Sequence, residues 1–109
     1  MNFKKHIALV LFAMSTFLIS CDKGYTVRFT NYSQQPVDSL IIGDNEVVFT
    51  NIEVQNVTEY KPIKKGNYSI QCVTKSKNRY KSSFNIPSAG EGKKSIQIDG
   101  TNTIVVLEQ

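Results

Sequence analysis

The sequence predicts an all-β fold, a single antiparallel β-sandwich of seven to eight strands placed after a cleaved N-terminal signal helix. Three observations predict it. Apolar and polar residues alternate with period two through most of the chain after Gly24. Turn-forming residues interrupt the alternation about every ten residues, the spacing expected of sandwiches. No helical periodicity follows Ile19. A barrel is the alternative closure for such strands.

The first twenty residues have a different character. Lys4 and Lys5 precede the apolar run Ile7–Ile19, and a small residue, Ser20, stands before Cys21. That is the pattern of a signal peptide. The run from Ile7 through Ile19 holds 13 residues, whereas roughly 20 are needed to cross a bilayer core as a helix. A segment that is removed is therefore expected, not a permanent span. Leu18-Ile19-Ser20-Cys21 resembles the lipobox of bacterial lipoproteins: an aliphatic residue, a tolerant position, a small residue, then cysteine. The resemblance implies diacylglycerol on the Cys21 sulfur, cleavage before Cys21 and acylation of the new amino terminus. An ordinary secretory signal that ends near a cysteine is the plain alternative. Two or more acyl chains hold a protein stably where one holds it marginally, so the implied anchor persists. The expected organisation is residues 1–20 as signal peptide, 21–24 as lipidated tether and 25–109 as the β-sandwich domain.

Each strand follows from its pattern. Tyr25, Val27 and Phe29 alternate with Thr26, Arg28 and Thr30, which reads as a half-buried strand. Asn31–Pro36 is a turn, Val37–Ile42 the second strand, and Gly43-Asp44-Asn45 a tight turn into a third at Glu46–Phe49. Asn51–Asn56 is ambiguous. A fourth strand is expected at Val57–Tyr60, stopped by Pro62, which cannot donate to a ladder. Lys64-Lys65-Gly66 turns the chain into Asn67–Thr74, with Tyr68, Ile70 and Cys72 inward. After a turn at Lys75–Asn78, Arg79–Ile86 places Tyr80, Phe84 and Ile86 on one side. Pro87–Lys94 is expected as a solvated loop, followed by a hairpin of Ser95–Ile98 and Thr103–Glu108 around Asp99-Gly100.

The segment Lys65-Gly66-Asn67-Tyr68-Ser69-Ile70 resembles an element of immunoglobulin-like and transthyretin-like sandwiches, where a glycine turn leads into tyrosine and alternating apolar residues. The resemblance spans roughly Phe49 to Thr74 and lacks the tryptophan and paired cysteines of true immunoglobulin domains. It implies that the Tyr68 ring packs in the core while its hydroxyl reaches a backbone group at the corner. A shared fold carries no activity with it.

Removing residues 1–20 from the 109 leaves 89, the size of one modest domain. The 13 basic residues, less Lys4 and Lys5, become 11 against 9 acidic ones. A net charge of +2 does not imply a nucleic-acid partner. Of the two cysteines, Cys21 is assigned to the lipid, so Cys72 has no partner in the chain and reads as a buried thiol.

Chemistry is hard to place. The single histidine, His6, lies in the segment to be removed, which leaves no Ser-His or Cys-His pair and no plausible zinc set. A hydrolase working with two carboxylates would need a facing pair, yet Asp38, Asp44, Glu46, Glu53, Glu59, Glu91 and Asp99 are spread over turns and outward positions. Gly90-Glu91-Gly92-Lys93-Lys94-Ser95 fails the phosphate-loop pattern, since Lys94 follows Lys93 and Pro87 stands where the first glycine should. No cofactor is expected.

Lys75, Lys77, Arg79 and Lys81 lie two apart and would share one face if the hairpin stayed extended, a basic patch for an anionic polysaccharide, lipid headgroup or acidic protein. The bland reading is a solubilising hairpin tip. Tyr32 is the clearest exposed aromatic. Asp38-Ser39-Leu40 matches an O-glycosylation signal of some Gram-negative envelopes, which makes Ser39 a candidate. Asn31, Asn56 and Asn67 begin N-glycosylation patterns that read as chance matches in a chain of this type. The expectation is a noncatalytic envelope protein, anchored by Cys21 to a membrane, the outer rather than the inner, with envelope glycan or protein as partner and no nucleic acid. An accessory module binding anionic or sugar ligands through Lys75–Lys81 is the second reading.

Overall fold

The computed structural model describes residues 24–108. The expected signal peptide, and Cys21 with most of its tether, lie outside the described residues. Eight strands follow one another: β1 (Tyr25–Asn31), β2 (Val37–Ile42), β3 (Val47–Ile52), β4 (Lys61–Ile63), β5 (Gly66–Thr74), β6 (Arg79–Ile86), β7 (Gly92–Ile98) and β8 (Ile104–Glu108). They form two four-stranded sheets, ordered β4-β1-β7-β8 and β3-β2-β5-β6. The all-β sandwich is therefore the fold.

One pairing differs from a wholly antiparallel arrangement, because β1 and β7 run parallel from Tyr25↔Gly92 to Asn31↔Ile98. A parallel pair needs a long crossover, and here the intervening chain supplies it by building β2 and β3, returning for β4, and then adding β5 and β6. Alternation within a strand encodes which face is buried and carries no direction, so this pairing is invisible in the local pattern.

Three strands depart from their expected places, and the third runs on to Ile52, past its expected end at Phe49. The fourth is Lys61–Ile63 instead of Val57–Tyr60. It sits at the outer edge of its sheet, where the missing donor of Pro62 costs no ladder bond, while Val57 keeps an isolated bridge to Thr30. The seventh starts at Gly92 instead of Ser95. The Tyr25 ring packs against Gly92 so closely that a Cβ there would lie 3.0 Å from it. Lys94 consequently leaves the expected loop: it is 8% exposed, and its ammonium donates to Glu108.

The core lies between the sheets. Val27, Phe29, Leu40, Ile42, Phe49, Ile70, Cys72, Ile96 and Ile98 are each 3% exposed or less. At the corner before β5 the Tyr68 hydroxyl donates to the Lys64 carbonyl at 2.9 Å, and its ring meets Phe84 with centroids 5.8 Å apart. The backbone contact expected of the Tyr68 hydroxyl is present, while the ring is half-buried and packs against the core without entering it.

The strand registers define two ends. Tyr25 opens β1 opposite Ile63 and Gly92, so the Lys64-Lys65 turn and the Pro87–Glu91 loop lie at the end where the chain enters. The segments after β1 and β3, the Lys75–Asn78 turn and the Asp99–Asn102 turn lie at the other end. Backbone bonds from Gln55 N to Asn31 O and from Lys75 N to Pro36 O bind that far end together.

Candidate functional site

The basic hairpin is divided by its own turn. Lys75 and Ser76 form the turn, and Lys77 takes a left-handed backbone conformation with φ 72. Thr74 holds that geometry by bonding Asn78 through its backbone N and its Oγ1. Only Arg79 and Lys81 of the four stand on a strand, exposed on the outer side of β6. Lys75 lies 3.9 Å from Glu53, and Lys77 lies 3.9 Å from Asp38. Such exposed pairs add little stability, but they offset half the charge of the patch. The four residues do not make one extended cationic row, because a tight reversal requires the left-handed residue that breaks the alternation.

Ser39 lies inside β2 between Thr50 of β3 and Val73 of β5, half-buried, beside a register irregularity between Val37 and Ser39. Cys21 falls outside the described residues. Cys72 is wholly buried, with no disulfide partner among the described residues, and burial pushes its thiol up to about 11. Tyr32 is 46% exposed at the far end.

The acids have structural work. Asp99 accepts bonds from Thr101 N, Thr101 Oγ1 and Thr103 N at 2.9, 2.7 and 3.0 Å, which builds the β7–β8 turn. The Thr101 hydroxyl, helped by backbone donors, holds its carboxyl below the usual range. The bond from Lys94 does the same for Glu108. Open surface depressions occur among the described residues. One, of about 590 Å³, is lined by Lys65, Gly66, Asn85, Ile86, Pro87 and Ser88. Another, of about 400 Å³, is lined by Phe49, Thr50, Thr58, Glu59 and Lys61. Neither brings two carboxylates face to face, and no group of three metal-ligating side chains gathers among the described residues.

The most concentrated chemistry is a cation–aromatic group on the outer side of the first sheet. Arg28 Cζ stands 4.9 Å from the centre of the Tyr60 ring, and Lys93 Nζ stands 5.0 Å from the same centre. Arg28 Nε is buried without a hydrogen-bond partner, as is the hydroxyl of Ser95, the residue opposite Arg28 in the parallel ladder. Neither cation forms an ion pair with a described carboxylate. Sequence reasoning missed this group because it depends on the β1–β7 pairing, which brings position 93 beside Thr26. Arg28 was legible as an outward residue, but its companions were not.

No family model and no curated protein matches the chain. An NMR structure of a protein from Eubacterium rectale is similar to it, at 12% identity and a TM-score of 0.49, covering 80% of this chain and 89% of that one.

Proposed function

We propose that this protein is a noncatalytic lipid-anchored component of the cell envelope, a tethered sandwich that binds or supports other envelope components. The observation that carries the reading is Leu18-Ile19-Ser20-Cys21 placed four residues ahead of the first strand at Tyr25. A signal segment too short to span, a lipid-accepting cysteine and a compact domain directly behind it describe a protein held at a membrane surface. The outer membrane is the proposed location. The partner class is envelope protein or glycan, and the reading calls for no cofactor and no nucleic acid. Kinship with immunoglobulin-like or transthyretin-like domains belongs to the same proposal and leans on the Tyr68–Lys64 corner.

Mass spectrometry of the membrane-extracted protein after cross-linking in cells tests the reading. The amino-terminal peptide should begin at Cys21 and carry acyl mass, and the cross-linked neighbours should be envelope components. A Cys21→Ser chain that is processed normally and still sediments with membranes overturns it. The same spectrum reports any sugar on Ser39.

A module that binds anionic polysaccharide through Lys75, Lys77, Arg79 and Lys81 is the second reading. What favours it is the exposure of Arg79 and Lys81 on β6. Reversing charge at Lys77 and Arg79 should then reduce recovery of envelope glycan in pull-downs, and unchanged recovery removes the idea.

A further inference from the structure

We infer that Arg28, Tyr60 and Lys93 form a site for the phosphate of an anionic phospholipid headgroup in the bilayer that carries the anchor. This rests on the lipid-anchor reading of Cys21 and goes beyond it by assigning a face of the domain to the membrane surface.

The first argument is reach. Four residue steps separate Cys21 from Tyr25, a span of at most about 14 Å even when fully extended. The entry end of the sandwich is thereby held near the headgroups. Gly92 N donates to Gly24 O at 3.1 Å, so Lys93 follows a residue bonded directly to the base of the tether. The turn Lys64-Lys65 lies at the same end, next to Ile63, which pairs with Tyr25. The hairpin turn at Lys75–Asn78 lies at the opposite end.

The second argument is charge. Two like cations converge on one ring, although they repel one another, and Glu59 and Glu91, the acids nearest to Tyr60 and Lys93 in sequence, pair with neither. The Tyr60 ring attracts both cations, which keeps each of them about 5 Å from one ring centre. A phosphate diester completes the group: it is singly charged, and it accepts several hydrogen bonds. The guanidinium of Arg28 matches it with paired donors, while the Lys93 ammonium adds a point charge. Basic side chains beside a membrane are drawn to anionic lipids, and a tyrosine ring is at home in the interfacial zone.

Tryptophan is absent from the chain, so a single introduced one reports its own position. Lipidated full-length Leu107→Trp and Tyr32→Trp proteins are reconstituted in phosphatidylcholine vesicles, with and without phosphatidylglycerol, carrying a nitroxide on the headgroup. Leu107 lies beside Ser95 on β8, near the proposed site, whereas Tyr32 lies at the far end. The expected result is headgroup quenching of Leu107→Trp in excess of Tyr32→Trp, dependent on phosphatidylglycerol, and lost when Lys93→Gln or Arg28→Gln is added. Lys93 is exposed, so Lys93→Gln keeps the test valid should Arg28→Gln fold poorly. Equal quenching at the two positions, or a phosphatidylglycerol effect that survives Lys93→Gln, overturns the inference. Loss of the effect on adding inorganic phosphate at constant ionic strength also overturns it, because the site would then take free phosphate ahead of a lipid. The mass of the amino-terminal peptide is read on the same samples. An unacylated Cys21 defeats the anchor reading, while an acylated chain with equal quenching defeats this inference alone.

Discussion

Asn31 is the polar residue on which the far end depends. Although it stands at the end of β1, next to a turn, it is completely buried, and both ends of its amide are used. Its Nδ2 donates to Gln35 O at 3.0 Å and to Ile52 O at 3.1 Å, while its Oδ1 accepts from Ser33 N and Ser33 Oγ. Removing the amide strands several buried partners at once, and an orphaned buried group costs about 1–3 kcal/mol. Asn31→Ala should therefore destabilise the domain by roughly 2–4 kcal/mol in urea unfolding. Cys72 is the second such residue, and its effect is on pH dependence. Its thiol rises from 9.0 to about 11 in the fold. Below pH 9 the thiol is protonated in both states and stability is at its full value. Between pH 9 and 11 the unfolded chain ionises while the folded one resists, so stability falls with rising pH. The shift corresponds to about 2–3 kcal/mol, a loss that Cys72→Ala should escape. Denaturation curves at pH 8 and pH 11 for both proteins measure the difference, because every other ionisable group is common to both.

Among the elements, the turn between β2 and β3 shows which glycines matter. Gly43 has φ 64, and a Cβ there would lie 2.9 Å from the Tyr68 ring. Gly100 has open space around it. Gly43→Ala should cost about 1–3 kcal/mol through a strained backbone and a displaced ring, whereas Gly100→Ala should stay within about 0.5 kcal/mol of the parent. Thermal unfolding of the two variants side by side measures the contrast. The Gly43 turn was readable from sequence, as were β2, β5 and β6, because turn residues bound each of them and the β2–β3 and β5–β6 pairs join strands adjacent both in sequence and in space. The shift of β4 to Lys61–Ile63 was not readable, since Pro62 argues against a strand until one knows that the strand lies at an edge. The early start of β7 was hidden for a related reason: Gly92 and Lys93 look like loop, and only the Tyr25 ring packed on Gly92 and the long parallel ladder give them an extended partner. The cation–aromatic group shares that cause. The proposed lipid-accepting motif, by contrast, is wholly local in sequence.

For the molecule as a whole, β1 is the member through which the proposed anchor and the core meet. It lies inside its sheet between β4 and β7, and its inward residues Val27 and Phe29 are fully buried. Pulling on the chain from Cys21 would thus load a strand hydrogen-bonded along both sides. No disulfide joins the sheets among the described residues, so cohesion between them rests on packing, with Phe29 among the largest fully buried side chains. Truncating a buried phenylalanine costs about 3–5 kcal/mol, against a total of roughly 4–13 kcal/mol for a domain of this size. Phe29→Ala should leave a marginal fold. If the shared core ties the two sheets into one cooperative unit, backbone circular dichroism and tyrosine fluorescence will report the same unfolding midpoint in Phe29→Ala, shifted together from the parent. Tyr25 and Tyr60 flank the first sheet, and Tyr68 and Tyr80 belong to the second, so separate midpoints would mean that the sheets come apart in turn. In that case the first sheet could open without the other, and tension on the proposed tether would expose β2 and β5 before the chain unfolded.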